Sequence, residues 1–130
     1  MYDAIIGISD FTDLVIENFL EKNRFIMLMA SKEYLNKFNS NKMIIKVDID
    51  IKNSQLVKEK VKSAKFNKIV ICTDNDMLNL MLAEALGTLG HSNNLYVIFN
   101  SKDISNLTSD NYKSIYIDQL MKHCFNEEIL

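Results

Sequence analysis

Short apolar runs alternate with amphipathic stretches along this 130-residue chain. Runs rich in β-branched and aromatic residues predict strands near Tyr2–Ile6, Phe25–Met29, Met43–Val47, Lys68–Cys72, Leu95–Phe99 and Ser114–Ile117. Helical spacing predicts helices near Phe11–Lys22, Lys32–Phe38, Ser54–Ala64, Asp76–Leu89 and Asp118–Phe125, with a short helix or a turn over Lys102–Leu107. This alternation implies an α/β fold with a parallel sheet covered by helices on both faces. Near-continuous apolar strands such as Ile69-Val70-Ile71-Cys72 suit a sheet buried on both sides. Right-handed crossovers then give a doubly wound, six-stranded parallel sheet in the order 3-2-1-4-5-6, with a switch point between strands one and four.

The pattern contains no repeat, low-complexity tract or internal linker, so residues 1–130 read as one domain. The helix Asp76–Leu89 is apolar around most of its circumference, and such a helix must bury more than one face. One face covers the sheet. The other meets either a second subunit across a two-fold axis or a neighbouring helix of the same chain. Proline is absent, so turns rest on Asn, Asp, Ser and Gly. Gly87 and Gly90 fall where that helix should stop, as a left-handed cap would.

Composition narrows the function classes. The chain is 48% hydrophobic and 25% charged, as expected of a globular domain. A net charge of −2 gives no general attraction to nucleic acid or anionic lipid. Lys58, Lys60, Lys62, Lys65 and Lys68 cluster, but Glu59 interrupts them and a solvated helix face accounts for them. No apolar run approaches the roughly 18 residues that span a bilayer, and no signal peptide opens the chain. Cys72 and Cys124 lack metal-ligand spacing and read as thiols of a reducing cytosol. His91 and His123 are isolated, supporting neither a metal site nor a catalytic base.

The candidate chemistry lies at the strand ends, where open α/β sheets bind ligands. Gly7-Ile8-Ser9-Asp10-Phe11-Thr12 occupies the G-x-G-x-x-G frame of a Rossmann-type dinucleotide turn. Gly7 keeps the tight turn. Ser9 places a side chain where phosphate should enter, although its hydroxyl can donate to an anion. Thr12 is β-branched where helix and strand pack closely, and Asp10 adds negative charge beside the phosphate position. A plain strand-turn-helix with Ser9 or Asp10 as N-cap explains the same residues. Ala30 stands where an acid should bond a ribose hydroxyl, leaving Ser31 or Lys32 to take the sugar or simply to start a helix. Asp48 can contact an adenine or cap the segment after it. Thr73 and Asp76 can line the crevice or cap the fourth helix, and Asn79 can bond back to the loop or the neighbouring strand end.

At these residues the chain resembles the N-terminal Rossmann subdomain of RCK proteins, regulators of potassium conductance, also called the TrkA N-terminal domain. The resemblance runs through Ile5-Ile6-Gly7-Ile8-Ser9, then Val47-Asp48-Ile49 at the family's Gly-Asp-Ala step. It ends on Thr73-Asp74-Asn75-Asp76-Met77-Leu78-Asn79, at its Thr-x-x-Asp-x-x-Asn signature. It implies a six-stranded parallel sheet, binding of NAD(H) or an adenine nucleotide, and control of a potassium channel or transporter. Ser9 and Thr12 replace glycines, Ala30 replaces the ribose acid and Val47 replaces a glycine, so the nucleotide site is weakened while the sheet is not. The family's C-terminal subdomain is missing, and we expect the chain to be the N-terminal part of a larger protein.

The expected cofactor-binding set is therefore Gly7, Ser9, Asp10, Thr12, Ala30, Ser31, Asp48, Thr73 and Asp76, with no catalytic or metal-binding residue. The leading function is a cytoplasmic, non-enzymatic regulatory domain, held at the inner membrane through its partner where one exists. That partner is a membrane-embedded potassium transporter or channel subunit, and the chain itself forms a homodimer or higher homo-oligomer. An assembly module that has lost its nucleotide is the alternative. A signalling receiver domain matches superficially at Asp48, Thr73 and Lys102 but lacks the acid pair after the first strand, and its sheet order would be 2-1-3-4-5. A small dehydrogenase would need an intact cofactor turn and a catalytic acid or base.

Overall fold

The computed structural model describes residues 2–90 and 93–130, so His91 lies outside the described residues. Strands β1 (Tyr2–Ile6), β2 (Ile26–Ala30), β3 (Ile44–Asp48), β4 (Phe66–Ile71), β5 (Leu95–Phe99) and β6 (Lys113–Tyr116) form one sheet. Its order is β3-β2-β1-β4-β5-β6. Every neighbouring pair is parallel. This is the doubly wound arrangement the sequence predicts, and it is not the order of a receiver domain.

Helices α1 (Asp10–Glu21) and α2 (Lys32–Leu35, continued by a 3₁₀ turn over Asn36–Phe38) cover one face. Ile16, Tyr34 and Leu35 pack there against Ile5, Leu28 and Val70. Helices α3 (Ser54–Lys62) and α4 (Asp76–Gly87) cover the other. Val57, Val61, Leu82 and Leu86 pack there against Ile6, Ile69 and Val97. The remaining helix, α5 (Ile117–Glu128), follows β6, and a 3₁₀ segment spans Lys102–Leu107. No helix among the described residues is long and apolar enough to cross a membrane.

β1 and β2 are almost wholly buried because strands lie on both sides of them and helices above and below. β3, an edge strand, buries Ile44 and leaves the rest exposed or half-covered. α4 packs on the sheet and on α3 of its own chain, so the intrachain reading accounts for most of its apolar surface; Met77 and Met81 remain exposed. Gly87 is the last helical residue rather than a left-handed cap; Thr88 ends the helix and Gly90 takes the positive φ of +81°. Asp3, buried at the start of β1, receives both a fork from Arg24 and the Lys68 amide at 3.1 Å. A buried carboxylate needs that pairing, and it fastens the turn before β2 to β1 and β4.

Candidate functional site in the carboxyl-edge crevice

The ends of β1 and β4 meet at the switch point. Gly7 donates its amide to Met29 O (3.1 Å) and Ile6 O accepts from the Cys72 amide (2.9 Å). Gly7 sits at φ +118°, and a Cβ there would lie 2.7 Å from Thr73 Cγ2 and 2.9 Å from Cys72 O. Glycine is thus required twice over, by the backbone angle and by the close approach of the fourth strand's exit.

Beyond Gly7, Ser9 is the N-cap of α1. Its hydroxyl accepts from the Phe11 amide (3.2 Å), while the Ser9 amide donates to Thr12 Oγ1 (2.9 Å). Of the two N-cap candidates, Ser9 holds the position and Asp10 is the first helical residue. The Thr12 hydroxyl, fully buried, donates in turn to Cys72 O (3.1 Å) and lies 3.4 Å from Cys72 Sγ. The third glycine position therefore carries a bolt between α1 and β4. The Thr12 amide is also engaged, by Ser9 O at 3.1 Å. Three amides at the mouth of α1 are thus committed within the turn, where a phosphate-binding helix start would offer such groups to its ligand.

The crevice divides into two clefts that share Ile8 and Asp74. One, of about 380 Å³, lies against α1 and α2 and is lined by Asp10, Asp13, Tyr34 and Lys37. Its carboxylates outnumber its single lysine, which lies 3.8 Å from Asp13. The Tyr34 hydroxyl donates to Asp13, and burial together with that bond raises the phenol well above its ordinary range. The other cleft, of about 350 Å³, is more apolar, with Ile49, Ile51 and Leu78 as walls and Ser31, Lys52 and Thr73 among its polar groups.

The predicted residues do not all converge. Gly7, Ser9, Asp10, Ser31 and Thr73 stand at the crevice. Ala30 does not: its side chain is buried beneath α1 and α2, and its carbonyl accepts from the Ile49 amide (3.2 Å). The side chain presented there is the next one, Ser31, which caps α2 without a side-chain hydrogen bond. Asp48 pairs with Ala30 in register and is exposed at the edge of the sheet. Asp76 is directed towards β5: its carboxylate accepts from the Asn100 and Ser101 amides at 2.8 and 3.0 Å. Asn79, fully buried, accepts from the Thr73 amide and hydroxyl (2.8 and 2.7 Å) and donates to Thr73 O and Ile98 O, both at 3.2 Å. The Thr-x-x-Asp-x-x-Asn step is thus a clasp that fixes the exits of β4 and β5 to the first turn of α4.

These residues fit a diphosphate poorly. The Ser9, Phe11 and Thr12 amides are engaged, Asp10 and Asp74 add like charge, and Ser31 offers a neutral hydroxyl where a carboxylate would hold a ribose. Sequence reading missed the Thr12–Cys72 bolt, whose partners lie 60 residues apart.

Burial pushes the Cys72 thiol up to about 11, against a lowering by the Thr12 bond. Cys124 is exposed. Iodoacetamide at pH 8 should therefore modify one thiol per folded chain, at Cys124, and both after unfolding in urea. A Cys72 that ionises at higher pH when folded also loses stability as pH rises. Its contribution is whole below the unfolded value near 9 and is lost as pH approaches 11, so chemical denaturation midpoints should fall across that window.

No protein-family model matches the chain, and no curated protein matches it in sequence. Solved structures do. The NAD(P)-binding domain of an exopolyphosphatase-related protein from Archaeoglobus fulgidus superposes with a TM-score of 0.78 at 15% identity, covering 99% of this chain and 98% of that one. The shared property is the Rossmann-like fold. The GsuK channel bound to NAD matches with a TM-score of 0.70 at 12% identity, over 88% of this chain and 21% of that one. The GsuK RCK domain alone gives 0.68 at 12% identity, over 88% and 25%. An enzyme carries the sheet too: dTDP-glucose 4,6-dehydratase from Bacillus anthracis, in complex with NAD, has a TM-score of 0.57 at 12% identity over 80% and 39%.

Proposed function

We propose that this chain is a regulatory Rossmann module of a potassium transport or channel system, acting by recognition rather than by catalysis. The observation that carries this reading is the clasp of Thr73, Asp76 and Asn79, the same step on which the sequence resembles RCK domains, in a chain with the fold of the GsuK RCK domain. In the clasp these polar side chains join loops to one another instead of facing a substrate, which suits a binding site that reports its state through neighbouring elements. Its partner is a membrane-embedded transporter or channel subunit, and its place is the cytoplasmic side of that protein. Coupling then requires that the ligand or contact differ in affinity between two states of the assembly.

The crevice, in this reading, senses a nucleotide weakly or not at all. A single-phosphate adenine ligand suits it better than a dinucleotide, because one phosphate meets fewer of the repulsive carboxylates. The engaged amides at the start of α1 favour a second reading, an assembly module that retains the sheet without its original ligand. Rubidium uptake at low external potassium tests the transport role in cells with and without the gene. Uptake or its regulation should change on deletion; identical uptake curves would remove potassium transport from the account.

A further inference from the structure

On the α1 side of the sheet, the floor over β4, β5 and β6 is only partly covered. Strand residues two apart share a face, and the pairing register places Lys68 and Val70, Tyr96 and Ile98, and Lys113 and Ile115 on this one. Val70, Tyr96, Ile98 and Ile115 floor two apolar depressions of about 200 and 390 Å³. Both are lined by Val15, Ile98 and Ile115, so they join into one trough. Phe11, Leu14 and Val15 of α1 form one wall of the larger depression, and Leu120, Met121 and Cys124 of α5 form the other. The walls do not close over the floor: Leu14, Leu120 and Met121 are 54%, 55% and 64% exposed.

The trough is apolar along its length and cationic at one end. The larger depression, which reaches Phe11 and Ile117, has no charged side chain in its lining. At the amino edge the ammonium groups of Lys68 and Lys113 lie 5.6 and 5.2 Å from the centre of the Tyr96 ring. Arg24, close by over Phe19, is matched by Asp3, but among the described residues neither lysine is ion-paired. Two cations beside one ring repel each other, and an anion at that edge meets both. The strand rise of about 3.3 Å per residue puts Ile117 about 13 Å from Lys113. An extended alkyl chain advances about 1.3 Å per carbon, so about ten carbons cover that distance.

We propose that the trough binds a free fatty acid of about ten to twelve carbons, its alkyl chain along Ile98 and Ile115 and its carboxylate at Lys68 and Lys113. Three fits set this occupant. The floor offers no hydrogen-bond partner, because the backbone groups of β4, β5 and β6 are already used within the sheet, and an alkyl chain asks for none. The paired lysines supply the countercharge for a carboxylate at one end only, which fixes the direction of the chain. The trough is as long as one such chain and too narrow in volume for a lipid with two longer ones. This site lies on the face of the sheet, apart from the carboxyl-edge crevice, so it stands or falls independently of the potassium reading.

Titration calorimetry of the 130-residue chain with dodecanoate, kept below micelle formation, tests the proposal. One dodecanoate per chain is expected to bind with a Kd of about 10 µM. Hexanoate should bind about a hundredfold more weakly, since it leaves half of the floor uncovered. Exchanging the carboxylate for a cation, as in dodecyltrimethylammonium, should weaken binding about tenfold, and so should Lys68→Gln with Lys113→Gln. Both lysines are exposed, so that variant should keep the parent's circular dichroism. Cys124 stands in the wall, and saturating dodecanoate should slow its alkylation by iodoacetamide several-fold. No saturable binding below about 100 µM would overturn the proposal. Equal affinity for the cationic surfactant, or a Cys124 that dodecanoate leaves unprotected, would do the same. A dimer in sedimentation with Cys124 already shielded, or binding to anionic phospholipid vesicles but not to free dodecanoate, would give the trough to another occupant and also overturn it.

Discussion

Asn79→Ala is expected to destabilise the chain by about 3–4 kcal/mol, because it leaves the Thr73 amide buried without its acceptor and removes the donor to two carbonyls. For a domain of this size that lowers the melting temperature by roughly 10–15 °C. Asn79→Asp should do no better. It keeps the acceptor for Thr73 but loses the donor to Thr73 O and Ile98 O, and it places a second carboxylate beside Asp76 in a site closed to water. Met77→Ala, two residues away and 57% exposed, should shift stability by less than about 0.5 kcal/mol. Thermal unfolding followed by circular dichroism checks all three. An Asn79→Ala chain as stable as the parent would mean that the clasp does not hold the strand exits together.

Gly7→Ala carries the other large effect. The backbone angle of +118° is strained for any side chain, and the added methyl would meet Thr73 Cγ2 and Cys72 O inside contact distance. A loss of about 3 kcal/mol or more follows from the combined strain and overpacking. Thr73→Ser removes the obstructing methyl while keeping the hydroxyl that Asn79 needs, so it should recover part of the loss in the double variant and cost stability alone. Full recovery would mean that the backbone angle matters little. No recovery would mean that the backbone angle and the Cys72 carbonyl, not the Thr73 methyl, are the obstacle. Denaturant titration of the four chains gives the coupling directly.

Much of the fold is legible in the sequence because burial on both faces writes each central strand as an apolar run. Six strands, their parallel order and the switch point follow from that pattern and from the handedness of crossovers. The Thr73–Asn79 step is legible as well, since Thr73, Asp76 and Asn79 are close neighbours in sequence, where a strand exit passes into a helix. Ala30 is misread for the same reason that β2 is easy to find. All five of its residues are buried, so no alternation shows that Ala30 faces the core and Ser31 the crevice. Ser9 is recognisable as an N-cap, whereas the Thr12 bond to β4 and the Asp3–Arg24 pair depend on segments that meet only in the folded chain. Periodicity also marks α5 as amphipathic.

The carboxyl-edge crevice is where the fold and its residues diverge most. The sheet is shared with a channel bound to NAD, yet the amides, charges and ribose position of this chain are poorly arranged for a diphosphate. Losing the charged hydrogen bond to ribose costs about 1.5–3 kcal/mol, a roughly tenfold to hundredfold loss of affinity, of which a neutral hydroxyl recovers only part. Titration calorimetry with NADH and AMP on the same preparation is the most direct measurement. The account predicts that NADH gives no saturating heat below about 100 µM and binds no more tightly than AMP. Saturable NADH binding at low micromolar concentration would contradict it.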